Sequence, residues 1–398
     1  MLARLLADPA KFLTSPPKGL AMTKLVRQVG AHVQLSFQEP NSAHENVQLM
    51  HRVAQVAACP CSQSYAHRLE GSWHVLAGRY NEAHTSFDQD KCGCRYCTAD
   101  KLWRVVSLKR NHAASGAPIE FNSVLAEAKK AVEYVSELEA RARRGGSTDL
   151  GNVLACLLGR CFLQSGITSY VMEDFENAKV AAYKAMELTT PPPGKIAAYR
   201  WWGRVVPCPS LPTAELRDIV NQAAFINYVL FLSLIPDDRP EARNLVQLLD
   251  KSKLCPERKA KLTWLKGMLM IDDWMEAKEP RAKQSIREAS ERHLRQAMLG
   301  LLDCKAPAVD VVACICDRAQ LPWRKNPARF LQSVLKKNGR YSVEQIEGCM
   351  KALHPDLYDD LMAATFAGRT DDAYEALGRL RQVATRNRAW PSFMPQAA

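Results

Sequence analysis

Apolar residues recur at intervals of three and four along nearly every long segment of the chain. One such series is formed by Val124, Ala128, Ala131, Val135 and Leu138, and similar spacing runs between positions 245 and 269. This spacing places apolar side chains on one face of an α-helix. Strict alternation of apolar and polar residues, which is typical of half-buried strands, is almost absent. The pattern therefore predicts an all-α fold of irregular antiparallel helical hairpins.

Proline and glycine separate the predicted helices and indicate one main boundary. Pro191, Pro192 and Pro193 are followed by Pro207-Cys208-Pro209. Prolines restrict φ and stiffen the chain, which predicts a connector between two helical halves. The predicted organisation has four parts: an N-terminal helical segment at 1–55, a helical-repeat half with a Cys-rich site at 56–190, a Pro-rich connector at 191–213 and a C-terminal helical half at 214–398.

One segment, from about Gly159 to Pro191, carries a recognisable repeat pattern. Phe162 and Gly166 occupy the large and small positions of a first helix, and the run Asp174-Phe175-Glu176-Asn177-Ala178 opens a second. In this pattern the segment resembles the tetratricopeptide repeat, an antiparallel helix pair of about 34 residues. The resemblance implies that Gly166 allows close approach of the paired helix, and that the Phe175 ring fills the groove between hairpins.

Two further segments resemble the same repeat. One surrounds Gly71, the run 78–83 and Phe87, and the other is the run 368–373 with Leu377. Their starts are not separated by whole multiples of 34, so the predicted superhelix is irregular, and a generic helical bundle is the alternative interpretation. The resemblance implies a non-enzymatic scaffold or adaptor that binds a protein partner within a larger assembly.

Two cysteine clusters flank the second of these hairpins. Cys59-Pro60-Cys61 precedes its first helix, and the run Cys92-Gly93-Cys94-Arg95-Tyr96-Cys97 follows its second. The start of the first helix and the end of the second lie side by side in an antiparallel hairpin, so the clusters can meet. Four thiolates suffice for a closed tetrahedral zinc site. We predict one structural zinc bound by Cys59, Cys61, Cys94 and Cys97, with Cys92 as a substitute or fifth thiol.

Two other uses of these cysteines remain open, namely a disulfide or redox role and unligated thiols. The histidines within the hairpin, His67, His74 and His84, are interpreted as surface or packing residues. Cys304, Cys314 and Cys316 form a looser group near His293 that is interpreted as core. The remaining cysteines, among them the isolated Cys208, are assigned to core or surface.

The net charge points to an alternative function. Lys and Arg outnumber Asp and Glu by 54 to 42, a formal charge of +12. Arg and aromatic residues interleave at two places, and such residues pair phosphates and stack on bases. The alternative prediction is therefore an RNA- or DNA-binding subunit of a nucleoprotein complex. The candidate contact residues are Arg200, Trp201, Trp202, Arg204, Trp323, Arg324 and Lys325.

Other functional classes have little support in the sequence. The chain has no phosphate loop, dinucleotide fingerprint or His-Glu-x-x-His pair, so no catalytic residues are assigned. His354-Pro355-Asp356 resembles the tripeptide of J-domain cochaperones, but the preceding segment holds Glu344 and Glu347 where that family has a basic helix. The apolar stretch 219–235 is interrupted by polar residues, which predicts a buried helix and no membrane insertion. The expected location is cytoplasmic, with the mitochondrial matrix as alternative.

Overall fold

The computed structural model describes residues 1–37, 40–190, 208–209, 211–250, 254–304, 306, 308–323, 329–331 and 343–387. Within these ranges all regular structure is helical and no β-strand occurs, so the predicted all-α class is confirmed. The chain divides into two compact units, Met1–Tyr228 and Val229–Ala398. The predicted boundaries at 55, 190 and 213 stay predictions, and most of the predicted connector, 191–207, lies outside the described residues.

The first unit is a succession of helices that pack against their neighbours along the chain: α3 on α4, α4 on α5, α5 on α6 and α7, and so on to α9 on α10. Their cores are small and separate, as expected when each helix buries its apolar stripe on adjacent helices. The helices are α1 (Leu2–Ala7), α2 (Pro9–Thr14), α3 (Leu20–Ser36), α4 (Pro40–Ala57), α5 (Pro60–Leu76), α6 (Tyr80–Asp88), α7 (Arg95–Ala114), α8 (Phe121–Arg144), α9 (Thr148–Val171), α10 (Phe175–Thr189) and most of α11 (Ala214–Leu234).

The second unit holds the end of α11 and a further set of paired helices. α13 packs on α14, α14 on α15, and α15 on both α16 and α18. Asp317, buried on α15, accepts a hydrogen bond from Trp264 Nε1 at 3.0 Å and pairs with Arg381. After a short 3₁₀ turn at Pro236–Asp238, the helices are α12 (Arg239–Asp250), α13 (Pro256–Glu276), α14 (Pro280–Asp303), α15 (Ala308–Ala319), α16 (Val343–Leu353), α17 (Pro355–Phe366) and α18 (Thr370–Asn387).

Four hairpins share one type of turn. The pairs α5–α6, α8–α9, α9–α10 and α17–α18 are each joined by three residues. The middle residue has a positive φ: 73° at Gly78, 75° at Gly146, 62° at Glu173 and 70° at Gly368. In the first turn Gly78 N–H donates to Val75 O at 3.2 Å and the next residue's N–H donates to His74 O at 2.9 Å; the same pair of bonds recurs in the other three. This is the Schellman arrangement, which satisfies the last carbonyls of the helix.

Close approach within these hairpins requires small residues, as expected for Gly166. A Cβ at Gly166 would lie 3.1 Å from Ala178 O on α10, and a Cβ at Gly71 would lie 2.9 Å from the Phe87 ring on α6. Phe175 is half-buried and contacts Tyr170 at a ring separation of 6.0 Å. All three segments that resemble the tetratricopeptide repeat thus fold as tightly packed helix pairs.

Among the described helices, only α9 has the length and apolar composition to cross a membrane. In the structure 67% of its apolar window is buried inside the protein, and core helices of soluble proteins pass the same test, so this is weak evidence of a span. The segment at 219–235 forms most of α11, with Ala224, Val229 and Phe231 fully buried.

The shared turn makes a direct prediction about stability. Glu173 is the one non-glycine residue at the middle of the four turns, and an L-residue in this conformation costs about 1–2 kcal/mol. We expect Glu173→Gly to raise the free energy of unfolding by about 1 kcal/mol in urea denaturation. The control is Glu176→Gly inside α10, which should lower it by a similar amount because glycine disfavours helix. A loss of stability in both variants would contradict the assigned turn.

Candidate metal centre

Four cysteines from three separate stretches of the chain meet in the first unit. Cys61 lies in the first turn of α5, Cys94 is the N-cap residue of α7, and Cys97 lies in the first turn of α7. Cys208 precedes α11. The Sγ atoms of these four residues all lie within 4.8 Å of one another. The described part of the chain therefore contains a group of four thiols with the spacing of a metal site.

The two clusters that flank the α5–α6 hairpin meet as predicted. Cys61 Sγ lies 3.5 Å from Cys92 Sγ, although the two residues are 31 positions apart. The N–H of Cys92 is held by Ser64 Oγ at 3.2 Å and by Asp90 Oδ1 at 3.3 Å, which positions the loop before α7. Cys92 thus borders the group as a fifth thiol, whereas Cys59, the N-cap residue of α5, does not belong to it.

Cys208, which the sequence analysis assigns to core or surface, is the fourth member of the group. Its Sγ lies 3.4 Å from that of Cys97, and both residues are buried. Arg27 on α3 fixes the residues after Cys208, because its guanidinium donates to Leu211 O at 3.2 Å and to Pro212 O at 2.5 Å. The segment that carries Cys208 is therefore anchored to α3 by side-chain-to-backbone hydrogen bonds that no local sequence pattern indicates.

The pKa shifts of the thiols disfavour a reactive thiolate. The hydrogen-bonding contact with Cys208, followed by burial, raises the pKa of Cys97 well above its usual range, although Arg68 opposes the shift. Burial raises the pKa of Cys61, and the neighbouring Cys97 and Cys92 raise it further. A nucleophilic or redox-active cysteine requires a lowered pKa. Without a bound cation these thiols are neutral, whereas a coordinated metal ion would deprotonate them.

A buried network of charged side chains lies beside the cysteines. Arg68 on α5 donates to Asp90 Oδ2 at 2.7 Å and to Asp100 Oδ2 at 3.0 Å, and Arg104 Nε donates to Asp100 Oδ2 at 3.2 Å. Their side chains are at most 2% exposed. Burial alone would raise the pKa of Asp100, but Arg104, Arg68 and Arg160 outweigh it and lower that pKa.

The network also connects helices on either side of α5 and α7. Arg104 donates to Ser72 Oγ at 2.7 Å, and Arg160 on α9 donates to Gln34 Oε1 on α3 at 3.2 Å. Gln34 in turn donates to Tyr65 OH at 2.7 Å. The network therefore links α3, α5, α7, α9 and the loop that carries Asp90, and it fixes their positions around Asp100 next to the cysteine loop.

The predicted nucleic-acid contacts are mostly not covered by the described residues. Arg200, Trp201, Trp202, Arg204, Arg324 and Lys325 lie outside them. Trp323 is partly buried, with its Nε1 donating to Glu291 at 2.9 Å and its ring 5.1 Å from that of Trp274. The Trp323 indole N–H is thus already paired, and the Trp274 ring contacts it at an angle of 59°.

Two other candidate motifs have structural roles. Cys314 and Cys316 are completely buried on α15, as expected of core residues. His354 is the N-cap residue of α17, and its Nδ1 accepts a hydrogen bond from Leu357 N at 3.3 Å. Asp356 lies in the first turn of the same helix.

Compared with known proteins, the chain matches no protein-family model and no curated protein. The observed helices pack in pairs, which is compatible with a helical repeat.

We expect the Asp100 network to dominate the stability of the first unit. Asp100→Asn would leave the buried Arg104 without its carboxylate partner and Arg68 paired with Asp90 alone, which costs about 3–5 kcal/mol. The control is Asp372→Asn, which removes a surface pair with Arg369 at 2.7 Å and should cost less than about 1 kcal/mol. The free energy of unfolding of both variants is measured by urea denaturation. Equal losses in the two variants would contradict the role assigned to Asp100. Because the fold lowers the pKa of Asp100, its contribution should be complete above the unfolded pKa of about 3.9 and be lost only at lower pH.

Proposed function

We propose that this protein is a non-enzymatic helical scaffold or adaptor whose first unit is fastened by one structural zinc ion. The observation that carries the proposal is the convergence of Cys61, Cys94, Cys97 and Cys208. An all-thiolate shell leaves no open coordination position for water, so the ion would act as a structural cross-link. The cross-link would join α5, α7 and the segment before α11.

The donor set and its spacing support zinc. Zinc–sulfur bonds of about 2.3 Å place the sulfurs of a tetrahedral site about 3.8 Å apart. The contact of 3.4 Å between Cys97 and Cys208 is near this value, and all four sulfurs of the group lie within 4.8 Å of one another. Soft thiolate ligands select zinc over magnesium or calcium. Arg68 lies next to Cys97 and would offset part of the negative charge of a tetrathiolate site.

The zinc assignment predicts different results for Cys208 and Cys59. We expect about one thiolate-bound zinc per chain by elemental analysis of the purified protein. Cys208→Ser and Cys97→Ser should each lower both zinc occupancy and melting temperature, because each removes a thiolate from the shell. The matched control is Cys59→Ser, since Cys59 lies near the same loop but outside the group, and it should leave both quantities unchanged. The zinc site would be contradicted if wild-type protein without zinc had the same melting temperature as the zinc-loaded protein.

The scaffold role is supported by how the helices are joined and paired. The same three-residue turn joins four hairpins. Stacked helix pairs of this kind present extended surfaces to protein partners. The resemblance of three of these hairpins to the tetratricopeptide repeat points to the same role. In addition, the raised thiol pKa values favour a structural role for the cysteines over a catalytic one.

Nucleic-acid binding is the second candidate, and the formal charge of +12 favours it. Some of the basic side chains make contacts within the chain: Arg141 and Arg143 on α8 contact Glu137 and Glu139, and Lys109 contacts Glu127. Arg110 is buried and donates to Gln164. These ion pairs leave the net charge unchanged, so the nucleic-acid candidate is tested separately.

Salt dependence distinguishes the two candidates. We expect a protein partner, captured from a nuclease-treated lysate of the native source, to remain bound as salt is raised, since an apolar groove contact is nearly indifferent to salt. The purified protein should show no retention on immobilised single-stranded RNA or DNA at low salt. Tight retention that falls steeply with rising salt would instead support the nucleic-acid candidate.

A further inference from the structure

A second group of ligand-type side chains lies in the first unit and contains no cysteine. His51 lies on α4, and His67 and Glu70 lie on α5. One ligand atom from each of the three residues falls within 4.8 Å of the others. The sequence interpretation had treated His67 as a surface or packing residue, so the convergence is a result of the packing of α4 on α5.

The arrangement follows from helix geometry. Residues three apart on a helix lie on the same face, which brings His67 and Glu70 together. The neighbouring helix α4 presents His51 to the same carboxylate. Glu70 Oε2 lies 3.4 Å from His51 Nε2 and 3.7 Å from His67 Nδ1. Metal bonds of about 2.0–2.1 Å to nitrogen and oxygen place tetrahedral ligands roughly 3.4 Å apart, and both nitrogen–oxygen distances are close to this value.

The two ring nitrogens that face Glu70 lie beyond the usual hydrogen-bonding distance from it. His51 Nε2 and His67 Nδ1 are buried atoms, and their ion-pair contacts with Glu70 Oε2 at 3.4 and 3.7 Å are longer than ordinary hydrogen bonds. Buried polar atoms are nearly always hydrogen-bonded, so two nitrogens placed this loosely around one carboxylate oxygen point to a bound cation. The rings are 5.0 Å apart and inclined at 66°, so they do not stack face to face. A cation between the three atoms would satisfy all of them.

We propose that His51, His67 and Glu70 bind a divalent transition-metal ion at a second site, separate from the thiol group. Imidazole with carboxylate suits zinc, cobalt, nickel or ferrous iron, whereas calcium and magnesium prefer all-oxygen shells. Three protein ligands leave at least one coordination position for water or an added ligand. The three side chains are 26–29% exposed, although the two nitrogens that face Glu70 are themselves buried. The thiol group offers four sulfur ligands, whereas this group offers three nitrogen and oxygen ligands.

Ser86 is the positioning residue of the site. It is buried on α6, and its hydroxyl donates to Glu70 Oε2 at 3.2 Å. Partners that orient a ligand in this way typically change metal affinity 10- to 100-fold when removed. Ser86→Ala should therefore weaken metal binding about tenfold.

The proposal is tested with Co²⁺ added to the purified full chain with its thiol site already loaded with zinc. We expect one further ion per chain by equilibrium dialysis, with a visible cobalt spectrum that lacks thiolate charge-transfer bands. His51→Ala and Glu70→Gln should each weaken this uptake by at least about 100-fold and leave the thiol-bound zinc in place. The matched control is His44→Ala, an exposed histidine two turns earlier on α4, which should bind Co²⁺ like the wild type.

Two results would overturn the second site. One is the absence of further Co²⁺ uptake by a wild-type chain that retains its zinc. The other is equal uptake by wild type and His51→Ala when circular dichroism shows both to be folded. Either result would leave the three residues as an electrostatic cluster without a metal. Neither result bears on the thiol site, because Cys208→Ser tests that site separately.

Discussion

The buried ionic network around Asp100 is the constraint on which the first unit depends. Asp90, Asp100, Arg68 and Arg104 have almost no exposed side-chain surface. Charges removed from water are tolerated only when each is paired with good geometry, and removing one partner is strongly destabilising. The positions of α5, α7 and the loop between α6 and α7 relative to one another are therefore fixed within narrow limits. Asp90 also accepts a hydrogen bond from the N–H of Cys92, so the same network fixes the position of the cysteine loop.

The hairpins supply the framework that the network fixes. Four of them end their first helix with the same left-handed turn, and close contacts at Gly71 and Gly166 bring the paired helices together. Each helix then buries its apolar stripe on a sequence neighbour, which explains the several small cores of the first unit.

The two ligand groups on α5 are chemically complementary. Cys61 at the start of this helix belongs to a soft, sulfur-only group beside buried residues, while His67 and Glu70, two to three turns further on, belong to a nitrogen and oxygen group. Metals sort between such sites by ligand type and geometry. One helix thus contributes to two groups of ligand-type side chains with different metal preferences.

Helical class and pairing could be read from the sequence because they depend on residues three or four apart and on turn residues next to one another. The meeting of Cys61 with the Cys92–Cys97 cluster could also be predicted, since it follows from one antiparallel hairpin. Cys208 could not, because it lies 111 residues from Cys97 and reaches it only through long-range contacts such as that of Arg27 with Leu211. Arg68 could not be identified either, because its complete burial depends on Asp90 and Asp100 further along the chain. Local patterns act through neighbours along the chain, whereas these contacts depend on packing between segments that are separated in sequence.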